Sequence, residues 1–181
     1  MSRQSLNPAV LRGQRVVLVE FANDHIDDEY LSWLSDPVLM QFSQQRSSVH
    51  TKKSAKEYRQ TVVDSGGLMF SITELASGLR VGTLVIRRDC SHGIYDLGLL
   101  VGRAAYRRAG LGLDAWSTAV RWSLNEARAR KVTGGTVLEN VAMIRIMERS
   151  GMERECVRQK HLVLAGMPRD VVYYAAFSDL G

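Results

Sequence analysis

The sequence predicts a single α+β domain, a three-layer arrangement in which helices flank a mixed, mostly antiparallel sheet. Short β-branched runs recur along the chain and alternate with segments whose apolar residues keep a helical period. No repeat or linker interrupts the 181 residues, a length typical of one domain. A glycine-bearing loop between a strand and a long helix adds a parallel strand-helix-strand unit. We therefore expect one domain over 1–181, with its core at about 16–177.

The first half of the chain predicts one strand, two helices and a hairpin. The β-branched run 16–19 predicts the first strand. Asn23-Asp24 offers a cap for a helix that ends at Asp36-Pro37. Apolar residues at helical spacing mark that helix: Ile26, Tyr30, Trp33 and Leu34. A loop, a second helix and two hairpin strands are predicted at 41–53, 54–63, 68–75 and 79–87.

The second half predicts the parallel unit and a closing hairpin. Ile94–Val101 is expected as a strand, followed by a helix over 111–129 in which Trp116 and Trp122 belong to the core. A strand at 132–138, a helix at 140–150 stopped by Gly151, and strands at 155–164 and 170–177 complete the order. The predicted sheet thus has about seven strands, and the crossover from 94 to 138 should be right-handed.

Composition and charge exclude several classes of protein. The formal net charge of +5 favours anionic partners, but no nucleic-acid recognition motif accompanies it, so we expect no nucleic-acid partner. Cys90 and Cys156 stand in no CxxC or Cys/His cluster, which predicts two free thiols and no metal site. No apolar run has the length of a signal peptide core or a membrane span. We expect a cytoplasmic protein without a membrane partner.

The segment Arg107-Arg108-Ala109-Gly110-Leu111-Gly112 carries the clearest chemical signal. It enters a long helix, whose first backbone N–H groups have no partner within the helix and attract anions. Glycine lets a phosphate approach the backbone, and arginine adds forked donors. No GxxxxGK[ST] occurs, nor does GxGxxG follow the first strand, so neither the P-loop nor the Rossmann fingerprint is present. The alternative is a loop whose glycines serve only a tight entry into the helix.

Three ordered motifs resemble the GNAT acetyltransferase superfamily over nearly the whole chain. Arg107, Gly110 and Gly112 match the family signature (R/Q)xxGx(G/A). The segment 140–152 is similar to the family pattern N-x-x-S-x-x-x-x-E-K-x-G-F. The tail, with residues shared by the RimJ/RimL-like branch, is the third match: Arg158, His161, Gly166, Arg169, Asp170, Tyr173 and Tyr174. The resemblance implies the GNAT fold and an N-acetyltransferase that moves an acetyl group from acetyl-CoA to a primary amine.

The resemblance also implies where coenzyme A binds. Backbone groups of the loop, together with Arg107, would hold the pyrophosphate: Arg108, Ala109, Gly110, Leu111 and Gly112. Leu99, Leu100 and Val101 would contact the pantetheine arm, with the Leu100 N–H facing the thioester oxygen as an oxyanion donor. Asn140 would bind pantetheine, and its alternative role is that of a helix N-cap.

The residues for proton transfer are less fully matched. Asp96 stands where the family often has a carboxylate base, and a water relay suits its short side chain. A salt-bridged strand carboxylate is the alternative. His161 is the second candidate base. Met143 replaces the serine that would protonate the thiolate. The alternatives are water, the hydroxyl of Tyr106, Ser150 or a tyrosine of the last strand, or transfer without a general acid, since a thiolate is a good leaving group.

The partner of the reaction stays open at this point. Acceptors known in the family branch include protein N-termini, polyamines and other small amines, and nucleotide-linked amino sugars. Trp33, Phe42 and the loop 41–50 fall where the family builds its acceptor wall. A homodimer is common in the family. The competing interpretation, motivated by Met143, is a coenzyme A-binding module with weak or no catalysis.

Overall fold

A computed structural model describes residues 8–178, which form one eight-stranded sheet with helices on both faces. The strands are β1 Val10–Arg12, β2 Val16–Glu20, β3 Leu68–Glu74, β4 Arg80–Asp89, β5 Ile94–Val101, β6 Lys131–Val137, β7 Glu153–Leu164 and β8 Met167–Phe177. The helices are α1 Asp28–Ser35, α2 Lys52–Asp64, α3 Leu111–Asn125 and α4 Val141–Arg149. The strand order is β1-β2-β3-β4-β5-β6-β8-β7, and β5 and β6 form the parallel pair. The predicted fold class is confirmed.

The boundaries differ from the prediction where local signals are weak. Strand β1 was not predicted, because in this three-residue strand only Leu11 is buried. Helix α1 is capped by Asp27, whose side chain accepts the Tyr30 N–H at 2.8 Å, while the expected cap at 23–24 lies in a 3₁₀ turn. Helix α3 ends at Asn125, four residues early, and Arg128 then takes a left-handed φ of 58°.

The two faces of the sheet carry separate hydrophobic clusters. On one face α3 and α4 pack through Trp116, Leu111 and Met147 against the central strands. On the other, α1 and α2 pack around Phe21 and Trp33. Trp116 and Trp122 are both buried, which confirms them as core residues. Trp33, expected near the acceptor, is buried too: a Cβ on Gly102 would lie 2.0 Å from its ring, and its side chain belongs to the core of α1 and α2.

One carboxylate fixes the start of α3 to the first hairpin. Asp114 accepts the backbone N–H groups of Gln14, Arg15 and Val16 at 3.1, 2.7 and 3.0 Å. Gly13 leaves room for it, because a Cβ there would lie 2.6 Å from the Asp114 Oδ2. Asp114 thereby holds the helix N-terminus at a set distance from the sheet.

We predict that Asp114→Ala lowers the free energy of unfolding by about 2 kcal/mol, since it removes three hydrogen bonds to a charged acceptor at a partly exposed site. Urea denaturation measures the change. Glu57→Ala is the control: this exposed helix carboxylate is 3.9 Å from Lys53, and its loss should cost less than about 0.5 kcal/mol. Equal effects of the two substitutions would contradict the proposed role of Asp114.

Candidate active site

The parallel pair β5 and β6 separates along its length and leaves a gap in the sheet. The two strands pair at Ile94–Lys131, Tyr95–Val132 and Asp96–Thr133, and their pairing ends there. Strand β5 nevertheless continues to Val101, paired with β4, and β6 continues to Val137, paired with β8. Because strand edges carry unpaired N–H and C=O groups, the gap offers backbone donors and acceptors on both sides.

Hydrogen bonds at the ends of β5 show which of its residues face the gap. The Gly102 N–H donates to Val81 O on the β4 side at 2.8 Å, and Gly93 O accepts from Lys131 of β6 at 3.1 Å. Backbone N–H and C=O groups alternate sides along a strand. In β5, those of even-numbered residues therefore point towards β4, and those of odd-numbered residues point towards β6.

The N–H groups of Leu99 and Val101 therefore face the gap, and that of Leu100 faces β4. Consistently, a Cβ on Gly82 of β4 would lie 2.1 Å from Leu100 O. The backbone phase thus differs from the sequence-based expectation that the Leu100 N–H faces the thioester.

The N-terminus of α3 lies beside the end of β5. Asp114 donates the first helical hydrogen bond, to Gly110 O at 3.1 Å, so the N–H groups of 110–113 have no partner within the helix. Gly110 and Arg108 take left-handed φ angles of 82° and 75°. Gly112 is buried, and a Cβ there would lie 3.1 Å from Val101 Cγ2, so the glycine lets the helix approach β5 closely.

Arg107 and Arg108 differ in what their side chains contact. The Arg107 side chain bonds to other residues of the protein: its Nη2 donates to Gly102 O at 2.7 Å and lies 3.5 Å from Asp36 Oδ2. Arg107 therefore positions the loop. Arg108 is exposed and has no ion pair within residues 8–178, which leaves its guanidinium available to an anion at the helix N-terminus.

Asn140 caps α4 at the end of the gap. Its Oδ1 accepts the Met143 N–H at 3.3 Å, and its Nδ2 donates to Thr136 Oγ1 at 3.0 Å. The N-cap role expected as the alternative is present. The second hydrogen of Nδ2 is left for a ligand.

Asp96 lies on the face of the sheet that carries α1 and α2. Its Oδ2 is 3.7 Å from Arg87 Nη1, and Arg87 also donates to the hydroxyl of Tyr58 on α2 at 2.9 Å. Burial raises the pKa of Asp96 above its usual value, and the nearby Arg87 guanidinium lowers it in part. Asp96 is therefore both salt-bridged and shifted towards a more basic carboxylate.

Across the gap from Asp96, three side chains form a row on the same face. Tyr173 lies over Gly135 of β6, where a Cβ would be 2.6 Å from its ring. The His161 ring is 6.4 Å from that of Tyr173, edge to face, and the Arg158 guanidinium is 4.7 Å from the Tyr173 ring centroid. We call these three residues the β7–β8 row.

The hydroxyls considered for protonating a thiolate differ in their availability. Ser150 donates to Met147 O at 2.7 Å, and the Tyr174 hydroxyl donates to Glu148 on the opposite face at 2.8 Å. Tyr106 is directed towards Ser77, 3.5 Å away. Within residues 8–178, the Tyr173 hydroxyl has no hydrogen-bond partner, and it lies on the side of Asp96.

Comparison with known proteins decides the family. The sequence profile of the acetyltransferase (GNAT) domain matches residues 15–153. The chain belongs to the GNAT acetyltransferase family. The matched range contains the gap and the N-terminus of α3 but ends at the first residue of β7, so the β7–β8 row lies beyond it.

Solved structures support the GNAT fold. RimL, a ribosomal L7/L12 α-N-protein acetyltransferase in complex with coenzyme A, is 14% identical with a TM-score of 0.84, covering 95% of this chain and 99% of its own. The ribosomal-protein-S5-alanine acetyltransferase from Vibrio fischeri is 13% identical with a TM-score of 0.81, covering 96% of this chain and 98% of its own. A GNAT-family acetyltransferase from Bacillus anthracis is 18% identical with a TM-score of 0.80, covering 93% of this chain and 98% of its own. Among curated proteins, no sequence matches this chain.

Three further findings concern the part of this GNAT chain that the structure describes. No helix within residues 8–178 has the length and apolar character needed to cross a membrane. In the same part of the chain, His, Cys, Asp and Glu side chains form no group of three that could hold a metal ion. Cys90 and Cys156 are both free and exposed.

Sequence reasoning missed Arg87, Tyr58 and the stacking of Arg158 on Tyr173. Arg87 could have been found from the pairing of β4 with β5, since their antiparallel register pairs Arg87 with Asp96. The stacking of Arg158 has no such signal, because the shift of register between Arg154 and Cys156 determines which β7 residues lie beside Tyr173.

We predict that Arg87→Gln raises the pKa of Asp96, because it removes the cation that stabilises the carboxylate and leaves the effect of burial unopposed. An NMR titration of the Asp96 carboxyl carbon measures the shift. Arg88→Gln is the matched control: the neighbouring residue carries the same charge and donates to Gly66 O on the other face of β4. An unchanged or lowered pKa in Arg87→Gln would contradict the assignment.

Proposed function

We propose that this GNAT protein is an N-acetyltransferase that moves the acetyl group of acetyl-CoA to a primary amine by direct attack of the amine on the thioester. The observation that carries the proposal is the gap between β5 and β6, which leads to the N-terminus of α3. A phosphate-rich ligand with an extended amide-bearing arm is complementary to this combination of helix N-terminus and open strand edges.

In the proposed complex the chain contributes mostly backbone groups. The N–H groups of 110–113 and the Arg108 guanidinium would hold the pyrophosphate, and the edge of β5 at Leu99 and Val101 would pair with the pantetheine arm. The Leu99 or Val101 N–H replaces that of Leu100 as the donor to the developing oxyanion. A donor of this kind contributes about 3 kcal/mol to transition-state stabilisation. The free Nδ2 hydrogen of Asn140 would bind the same arm.

The attacking amine must lose a proton before or during transfer. Asp96 stands on the acceptor face beside the point where the strands part, and its raised pKa makes it a better base than an ordinary aspartate. Its short side chain suits a relay through one water molecule. His161, exposed in the β7–β8 row, is the second candidate base.

Departure of the thiolate calls for a proton donor that Met143 does not supply. Met143 packs against the core on the face of α3 and α4. Among the hydroxyls considered for this role, that of Tyr173 lies on the side of Asp96 without a hydrogen-bond partner within residues 8–178, and water can serve in the same role. The alternative function, a coenzyme A-binding module with weak or no catalysis, is favoured by this one residue.

We predict that acetyl-CoA binds the wild-type protein and that Gly112→Val abolishes binding, because its side chain would meet Val101, Ile146 and Leu99 at 3.1–3.3 Å and displace α3 from the gap. Calorimetric titration measures affinity. Asn125→Val, in the last turn of the same helix and exposed, is the control and should bind normally. Absence of wild-type binding at millimolar acetyl-CoA would refute the proposed function.

We further predict that Met143→Ser raises kcat for thiol release about two- to tenfold, since it supplies a proton donor to the leaving thiolate, while Met143→Ala does not. The acceptors to screen, with mass detection of acetylated product, are an N-terminal peptide, a polyamine, a small amine and a nucleotide-linked amino sugar. Turnover of any of them eliminates the non-catalytic alternative. Equal rates for the two Met143 variants would show that thiolate protonation does not limit the reaction.

A further inference from the structure

The β7–β8 row contains a cation that has no counter-ion. Arg158 is exposed, its guanidinium lies 4.7 Å from the Tyr173 ring centroid, and no carboxylate within residues 8–178 is in ion-pair distance. Stacking on an aromatic ring orders an arginine while leaving its five N–H donors at the rim free for another group. Arg158 is thus held in place without being neutralised.

The row faces the same space as Asp96. Gly134 is covered by Trp116 on the α3 side, so Gly135, with the Tyr173 ring over it, belongs to the opposite face. The adjacent Tyr174 confirms this phase, because its hydroxyl reaches Glu148 of α4. Arg158 lies on β7, the edge strand beyond β8, and its guanidinium reaches back over the Tyr173 ring of β8. Strand β8 is two strand spacings from β5, about 10 Å in a regular sheet, and the gap lies between them. A small acceptor attacking in the gap would extend from Asp96 towards Arg158.

A second guanidinium adds to the positive charge on this side. Arg46, from the loop before α2, donates to Val163 O of β7 at 2.6 Å and to Ser43 O at 3.0 Å. Both acceptors are backbone carbonyls, so its charge is not balanced by a carboxylate within residues 8–178. The carboxylate of Asp170 on β8 accepts the Lys160 N–H at 2.8 Å. Within residues 8–178, the guanidinium groups of Arg158 and Arg46 thus both lack a carboxylate partner at this end of the acceptor space.

We propose that Arg158 is a specificity-determining residue that binds an anionic group, a carboxylate or a phosphate, at the far end of the acceptor amine. This inference rests on the proposed acetyl transfer and narrows its acceptor: an amine that also carries negative charge is selected, and a polyamine is rejected by repulsion. The Tyr173 ring fixes the guanidinium, and His161 borders the same anion.

Four acceptors that share one hexyl chain and one primary amine test the proposal: aminohexanoate, aminohexyl phosphate, aminohexanol and diaminohexane. We expect kcat/KM for the better anionic probe to exceed that for diaminohexane by about tenfold or more, with aminohexanol between them. The ranking of carboxylate against phosphate identifies the anion. Equal kcat/KM for all four would overturn the proposal.

Arg158→Glu should reverse the preference between the anionic probes and diaminohexane. Arg154→Glu is the matched control: it changes the net charge equally on the same strand, but Arg154 pairs with Tyr174 and influences that tyrosine on the opposite face. We expect Arg154→Glu to keep the wild-type order. If both variants shift the preference equally, the effect is one of overall charge and the assignment to Arg158 fails.

A binding measurement separates this proposal from the proposed function. Ligand-observed NMR of the same four probes, with coenzyme A present, should give the same order of affinity whether or not acetyl transfer occurs. Anion-selective binding without thiol release from acetyl-CoA would count against catalysis and leave the role of Arg158 intact. Thiol release without anion selectivity would leave catalysis intact and overturn the role of Arg158.

Discussion

The incomplete pairing of β5 with β6 is the constraint on which the rest of the site depends. Three residue pairs join the strands, and beyond Asp96 and Thr133 each strand keeps a partner only on its other side. Unpaired backbone groups are tolerated where water or a ligand satisfies them, so the strand edges along the gap need water or a ligand as partners. Asp114 and Gly112 then set the N-terminus of α3 against the end of that gap.

The sheet also divides two tasks between its faces. On the α3 and α4 face, Trp116, Met147 and their neighbours form a dry core that holds the helix N-terminus rigid. On the α1 and α2 face lie the polar groups: Asp96 with Arg87 and Tyr58 on one side of the gap, and Tyr173 with Arg158 and His161 on the other. A ligand in the gap would meet its backbone contacts at the strand edges and its acidic, basic and aromatic contacts on one face only.

The secondary structure around the gap and the loop that enters α3 could be predicted from local sequence. The loop 107–112 has a signal in the sequence, because Gly110 takes a left-handed φ, a conformation that favours glycine. The strand and helix patterns around this loop are strongly periodic. The direction of each β5 N–H could not be predicted from the sequence, because it depends on a hydrogen bond between Gly102 and Val81, residues far apart in sequence. The β7–β8 row was only partly visible: His161 and Tyr173 appear in the tail motif, but the register shift that arranges them is a tertiary effect.

Backbone amide exchange measured residue by residue by NMR, with and without acetyl-CoA, tests most directly whether this gap receives the thioester. If it does, the ligand slows exchange at Leu99, Val101 and residues 110–113, while the Leu100 amide, already bonded towards β4, exchanges slowly in both states. Unchanged exchange at Leu99 and Val101, or a Leu100 amide that is fast alone and slow with acetyl-CoA, would contradict the backbone phase and the site built on it.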